Sequence, residues 1–164
     1  MGNPVFAKLS DTAQAVLSAY VGIQYASLAT VAGEFGNADP YISYFSVRRG
    51  ERDKILGPDQ VRSLLKSPEP LRRAAGAAAC NQIFGPKATE MLTPLIRDTH
   101  PAVLDAVLDA LAEGVTRSET GKLILDVLPR LPTPQRHKAM RLLGKLKYRQ
   151  AVGVLEEMFQ RRDS

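Results

Sequence analysis

A chain of 164 residues with 45% hydrophobic and 24% charged residues has the composition of a soluble domain with an ordinary core. The single cysteine, Cys80, excludes an internal disulfide and makes a reducing, cytoplasmic compartment the expected location. No basic region followed by an apolar stretch opens the sequence, so we expect no secretory signal.

The formal net charge of +5 is distributed unevenly along the chain. Residues 132–164 hold 8 basic and 3 acidic side chains, so this last fifth of the sequence accounts for the whole excess. A local excess of this kind describes a binding surface or an end face rather than a fold.

The first predicted element is one long helix over residues 11–33, with Asp11 at its start and Gly33 at its end. No charged residue occurs between positions 12 and 33, although a surface helix normally carries charge on its outer side. We therefore expect burial on both sides, either within a bundle or against another chain, and Val16 and Tyr20 are candidate partner-binding residues. A membrane span is disfavoured, because Gln, Ser, Thr and Tyr dilute the apolar residues.

Two short helices are predicted next, over residues 40–49 and 58–66, because an Asp-Pro pair and a Gly-Pro pair mark their starts. The first of them carries aromatic and arginine side chains, a combination enriched in protein interfaces. The candidate partner-binding residues of this helix are Tyr41, Tyr44, Phe45, Arg48, Arg49 and Arg52. Packing of Tyr44 and Phe45 on the part of the chain that follows is the alternative.

Residues 70–159 repeat themselves at a fixed offset of 32 positions, with apolar residues falling on apolar residues. The four series are Ala75, Val107 and Ala139; Ala79, Leu111 and Leu143; Met91, Leu123 and Leu155; and Leu95, Val127 and Phe159. A constant period of this size predicts stacked helix pairs, and Pro, Gly or a capping hydroxyl marks each break. No segment shows the alternation that is typical of a strand.

The repeated part resembles the HEAT-like repeat family, in the short bacterial form that also occurs in phycobiliprotein lyase subunits. The motifs LRRAA at 71–75, LLG at 142–144 and AV at 151–152 carry this likeness, which covers residues 67–160. The second repeat lacks the arginine of the family pattern, and the third lacks its Gly-Asp turn.

The predicted fold class is therefore all-α, with a short α-solenoid of three HEAT-like helix pairs over residues 67–164 and a helical N-terminal segment over residues 1–66. The long uncharged helix, the curved repeat surface and the basic C-terminal end indicate a subunit, linker or scaffold of a larger assembly. The resemblance implies one concrete version, a phycobilisome-associated protein that meets acidic pigment proteins. The same resemblance implies an alternative, a bilin lyase subunit or a chaperone-like accessory.

Helix A of the last predicted repeat carries most of the basic excess, and no acidic residue occurs between positions 136 and 149. The candidate partner-binding residues here are Arg136, Lys138, Arg141, Lys145 and Arg149. Three interpretations stay open: the polar end face that an open stack needs, docking to an acidic protein surface, and nucleic-acid binding. Nucleic-acid binding is the least favoured, because Tyr148 is the only aromatic residue within the basic stretch.

Catalysis has little support in the sequence. Cys80 lies in an alanine run on a predicted core face, which indicates a buried, unreactive thiol. His100 and His137 are far apart in the sequence and lack clustered carboxylates, so no metal site is predicted. No catalytic residue or cofactor is assigned, and the leading hypothesis is a non-catalytic protein–protein interaction module.

Overall fold

The computed structural model describes residues 10–114 and 117–160, so residues 1–9, 115–116 and 161–164 of the predicted segments lie outside the described residues. Over these ranges the chain is helical and contains no strand, and the predicted all-α class is confirmed. The helices are α1 Asp11–Tyr25, α2 Leu28–Gly33, α3 Pro40–Arg52, α4 Pro58–Leu65, α5 Pro70–Phe84, α6 Ala88–Leu92, α7 Pro101–Glu113, α8 Arg117–Val127, α9 Thr133–Lys145 and α10 Ala151–Gln160. Short 3₁₀ segments lie at Gly85–Lys87, Thr93–Arg97 and Leu128–Arg130.

The chain divides into two compact units, of which the first ends at Ala79 and the second begins at Cys80. The N-terminal unit holds α1 to α4 and most of α5, and the C-terminal unit holds the end of α5 and α6 to α10. The boundary between the two units lies at a different position from the predicted start of the repeats at residue 67, and that start stays a prediction.

The prediction of one long helix over residues 11–33 is wrong. The chain is extended at Ser27, so that α1 ends at Tyr25 and α2 begins at Leu28. The Ser27 side-chain oxygen accepts a hydrogen bond from the Thr30 N–H at 3.1 Å, which is the usual cap of a helix N-terminus. The serine therefore starts a new helix where the spacing of the apolar residues predicts a continuous one.

The core of the N-terminal unit forms where α1 and α2 pack on α3. Ile23, Val31, Phe35 and Val47 are buried there. The hydroxyl of Ser43 on α3 donates to the carbonyl oxygen of Phe35 at 2.6 Å, which provides a partner for a polar group at a buried position. This packing brings the aromatic and arginine side chains of α3 next to α1.

At two of the predicted break points, a side chain caps the first N–H groups of the helix that begins there. The carboxylate of Asp39 accepts hydrogen bonds from the N–H groups of Tyr41 and Ile42 at 2.8 and 3.2 Å. Nδ1 of His100 accepts from the N–H of Ala102 at 3.2 Å, so His100 caps the start of α7. Both caps satisfy N–H groups that have no partner inside the helix.

The offset of 32 residues reappears in the C-terminal unit. Both α7 and α9 have 13 residues. Leu111 on α7 and Leu143 on α9 are each 1% exposed, and Val107 and Ala139 are fully buried. The third series, Met91, Leu123 and Leu155, is half-buried at every position. Positions that share the period therefore share their degree of burial in these three series. The fourth series departs from this, because Leu95 and Val127 are buried and Phe159 is 58% exposed.

We predict that Gly76→Ala destabilises the protein by about 1–3 kcal/mol, because α5 approaches α4 closely at this position. A methyl carbon added to Gly76 would lie 2.9 Å from Cβ of Leu64 and 3.1 Å from the backbone nitrogen of Leu65. Urea unfolding followed by circular dichroism measures the change in the free energy of unfolding.

Gly22→Ala is the matched control, since Gly22 lies inside α1 and an added methyl carbon there has open space around it. We expect this change to stabilise the protein by about 0.5–1 kcal/mol through helix propensity. A loss of stability at Gly22 equal to the loss at Gly76 would contradict close packing as the cause.

Candidate functional site

The outer side of α1 carries large apolar side chains at positions i, i+4 and i+8. Leu17, Val21 and Tyr25 are 37%, 45% and 85% exposed, and these residues are called the α1 stripe below. Ile23 lies on the inner side of the same helix and is buried. Among the described residues, the expected burial is therefore found on one side of α1 only, and the stripe stays exposed.

An aromatic cluster joins α1 to α3. The rings of Tyr20 and Phe45 meet edge to face with their centroids 5.3 Å apart, and the rings of Phe45 and Tyr44 do so at 5.4 Å. Such pairs are worth about 0.5–1.5 kcal/mol beyond the burial of their area. Two other candidates, Val16 and Tyr41, are half-buried. The candidate aromatics of α3 therefore contribute to packing within the N-terminal unit.

Arg49 closes the C-terminal end of α1. Its guanidinium donates to the carbonyl oxygens of Ile23 and Ala26, the latter at 2.7 Å. Its Nε lies 3.1 Å from a carboxylate oxygen of Asp53. The last carbonyls of a helix have no partner within the helix. Arg49 supplies a donor to the carbonyl of Ala26 and a second donor to that of Ile23, which also accepts from the Ala26 N–H at 3.3 Å. This structural role is not indicated by the sequence.

Arg48 and Arg52 lie on the more exposed side of α3. Nη1 of Arg48 is 2.5 Å from a carboxylate oxygen of Glu51, and Nε of Arg52 is 3.1 Å from a carboxylate oxygen of Asp53. The hydrogen bond from Arg52, together with that from Arg49, holds the pKa of Asp53 below its usual value of 3.8.

In the C-terminal unit, Lys138 joins α9 to α7. Its Nζ lies 2.8 Å from the carboxylate of Asp109 and 3.6 Å from that of Asp105. The same ammonium group donates to the backbone carbonyl of Asp105 at 3.2 Å. The charge of Lys138 is therefore largely neutralised inside the fold.

Arg141 and Lys145 follow Lys138 along α9, and both are exposed. Neither forms an ion pair within the ranges 10–114 and 117–160. They line a groove of about 250 Å³ between α7 and α9, called the α7–α9 groove below, whose lining residues are Leu108, Asp109, Ala112, Lys138, Arg141, Leu142 and Lys145. Arg149 is exposed and lies outside this groove, in the turn before α10.

The aromatic residue of the basic stretch is packed rather than free. Lys147 adopts a φ of 51° in the predicted turn, and the N–H of Tyr148 donates to the carbonyl of Leu143 at 3.1 Å. The ring of Tyr148 lies directly on α8, since a methyl carbon added to Gly121 would overlap it. Tyr148 is thus committed to packing and is not placed as a stacking platform for bases.

A larger pocket of about 440 Å³ lies between α9 and α10 and is lined by Pro129, Thr133, Arg136, His137, Met140, Met158 and Phe159. Arg136 holds the connection before α9, because its Nη2 donates to the carbonyl of Leu131 at 2.9 Å. Val152 and Phe159 are 54% and 58% exposed. This side of α10 is therefore less polar than the end face that an open stack needs.

No group of three or more His, Cys, Asp and Glu residues that could hold a metal ion occurs in the part of the chain that the structure describes. Over the same residues, no helix combines the length and the apolar character needed to cross a bilayer. Cys80 is buried, as expected from its alanine-rich surroundings.

No protein-family model, curated protein or solved structure matches this chain. A functional assignment therefore depends on the surfaces described above.

Arg49→Ala should lower the free energy of unfolding by about 1–3 kcal/mol, because the carbonyl of Ala26 loses its donor and the carbonyl of Ile23 and the carboxylate of Asp53 each lose one of two donors. Arg48→Ala is the control, since it removes an exposed arginine with one ion pair, and its effect should stay below about 1 kcal/mol. Urea unfolding measures both variants. Equal effects would contradict the structural role of Arg49.

The lowered pKa of Asp53 makes its contribution to stability depend on pH. Because the folded pKa lies below the unfolded one, the contribution is complete above about pH 5 and is lost as pH falls through the folded pKa. The difference in Tm between the wild type and Asp53→Asn should therefore be largest near neutral pH and shrink at acid pH. Thermal melts from about pH 7 to pH 2.5 test this, and a constant difference contradicts it.

Proposed function

We propose that this protein is a non-catalytic protein–protein interaction module, a subunit or scaffold of a larger assembly, and that the α1 stripe is its main docking surface. The observation that carries this proposal is the exposure of Leu17, Val21 and Tyr25 on a helix with no charged residue beyond Asp11. Contiguous apolar surface of this kind marks interaction sites on soluble proteins. A partner that covers the stripe removes apolar area from water without desolvating a charge.

The border of the α1 stripe also suits a protein partner. Tyr20 is 47% exposed, and Nη1 of Arg52 lies 3.4 Å from the side-chain oxygen of Gln24 on the same helix. Tyrosine and arginine are the residue types that contribute most strongly to binding energy in protein interfaces. An apolar centre with an aromatic and polar border is the usual composition of such an interface.

We further propose that the helix pairs of this chain form a short α-solenoid of HEAT-like repeats. Two links between helices of the C-terminal unit support it. The side-chain nitrogen of Asn81 donates to the carbonyl of Ala110 at 2.6 Å, and Nζ of Lys138 donates to the carbonyl of Asp105 at 3.2 Å. In each case a side chain reaches the backbone of a helix in another predicted repeat, as stacked repeats require. The phycobilisome as the assembly rests on the resemblance alone.

Val21→Gln combined with Tyr25→Gln should reduce retention of the partner at least about tenfold, because it places polar amides in the centre of the docking surface. Affinity purification from the source cells with quantitative mass spectrometry measures retention. Circular dichroism should show an unchanged fold, since both side chains are exposed.

Thr12→Gln combined with Ala15→Gln is the control pair, because both positions are exposed on α1 outside the stripe. This pair should retain the same proteins as the native chain. Equal retention by the stripe variant would contradict the proposal, as would the absence of any specifically retained protein.

A further inference from the structure

We infer that the protein has a second binding surface, the α7–α9 groove, and that this groove docks an acidic helical segment of a partner protein. The inference rests on the C-terminal unit and is independent of the α1 stripe. Only some of the cations in the groove form ion pairs with carboxylates of the described residues.

The three basic residues of α9 that line the groove differ in whether a carboxylate of the described residues pairs with them. Lys138 is paired with Asp109 at 2.8 Å and with Asp105 at 3.6 Å. Arg141 and Lys145 line the same groove, and no carboxylate of the described residues pairs with either of them. One stretch of the groove thus holds two positive charges that have no ionic partner among residues 10–114 and 117–160.

The sequence of α7 explains why these two charges stay unpaired. Asp105 and Asp109 lie one turn apart on the side of α7 that faces Lys138. The next residue of α7 in the groove is Ala112, whose side chain ends at Cβ. A longer acidic residue at this position would supply a carboxylate, and alanine leaves a gap instead. The gap between α7 and α9 is therefore open to a carboxylate from outside.

The spacing of the two cations selects a helical partner. Arg141 and Lys145 are at positions i and i+4 of α9, about 6 Å apart along the helix axis. Two glutamates at positions i and i+4 of another helix have the same spacing and can meet both cations. Leu108 and Leu142 also line the groove but are only 1% and 4% exposed, so the spacing of the two cations, rather than apolar contact, selects the partner.

The same arrangement disfavours nucleic acid as the occupant. The carboxylate of Asp109 lines the groove and is 64% exposed, and that of Asp105 is 47% exposed and lies 3.6 Å from Nζ of Lys138, which lines the same groove. A nucleic-acid strand carries a phosphate every few ångströms, so it cannot avoid these carboxylates. A helix that carries two glutamates confines its charge to one turn and can avoid them.

The test uses the full-length protein and a fluorescein-labelled helical peptide of about 18 residues, built from Ala, Leu and Gln with two Glu at positions i and i+4. A control peptide carries Gln in place of both Glu. Fluorescence anisotropy at low and high salt measures binding. The Glu peptide should bind at least about fivefold more tightly than the Gln peptide, and the difference should shrink at high salt.

Two variants locate the binding site. Arg141→Glu combined with Lys145→Glu should weaken binding of the Glu peptide at least about tenfold. Ala112→Glu should weaken it by about fivefold without loss of thermal stability, because it supplies an internal carboxylate to the two cations. Since Ala112 is exposed, this second variant keeps the test valid if the first one unfolds.

Lys122→Glu combined with Arg130→Glu makes the same change in net charge at exposed positions outside the groove, and it should leave binding nearly unchanged. An equal loss in this control pair would overturn the inference, because net charge alone would then explain binding. Equal binding of the Glu and Gln peptides would also overturn it. So would tight binding of a labelled single-stranded oligonucleotide that depends on Arg141 and Lys145, if the Glu peptide does not bind.

Discussion

The organisation of the N-terminal unit depends on the hydrogen bonds that the Arg49 guanidinium donates to the carbonyl oxygens of Ile23 and Ala26 at the end of α1. The chain leaves the helical conformation at Ala26, so the carbonyl of Ala26 has no N–H donor from α1 and that of Ile23 keeps only the N–H of Ala26 at 3.3 Å. An arginine from α3 donates to both carbonyls, and this fixes α3 against α1 from one end. The contact between Tyr20 and Phe45 fixes the two helices further along. Together these contacts decide that the Ile23 side of α1 is packed and that the stripe faces solvent.

A similar use of basic side chains occurs in the C-terminal unit. Lys138 and Arg136 both donate to backbone carbonyls, and Lys138 also pairs with carboxylates of α7. Basic residues that composition alone assigns to a partner thus include several that stabilise the fold. Fewer basic side chains are therefore available to a partner than the net charge suggests. In the α7–α9 groove these side chains are Arg141 and Lys145.

The sequence predicts well those features that depend on local chemistry. The all-α class follows from the apolar period and the absence of alternation, and helices begin at Pro40, Pro58, Pro70 and Pro101, where helix starts are expected. The break at Ser27 was not predicted, because a serine among small residues fits a continuous helix as well as it fits an N-cap. The roles of Arg49 and Tyr148 could not be predicted either, since each depends on a contact with another helix that no local pattern encodes.

The chain contains no tryptophan, so its intrinsic fluorescence comes from tyrosine. Tyr25, at 85% exposed, lies at the end of α1 within the stripe, whereas Tyr41, Tyr44 and Tyr148 are half-buried. A soluble quencher such as iodide therefore reaches the ring of Tyr25 far more readily than the half-buried rings. Shielding of this ring from the quencher gives an optical signal of occupancy at the stripe that needs no attached dye.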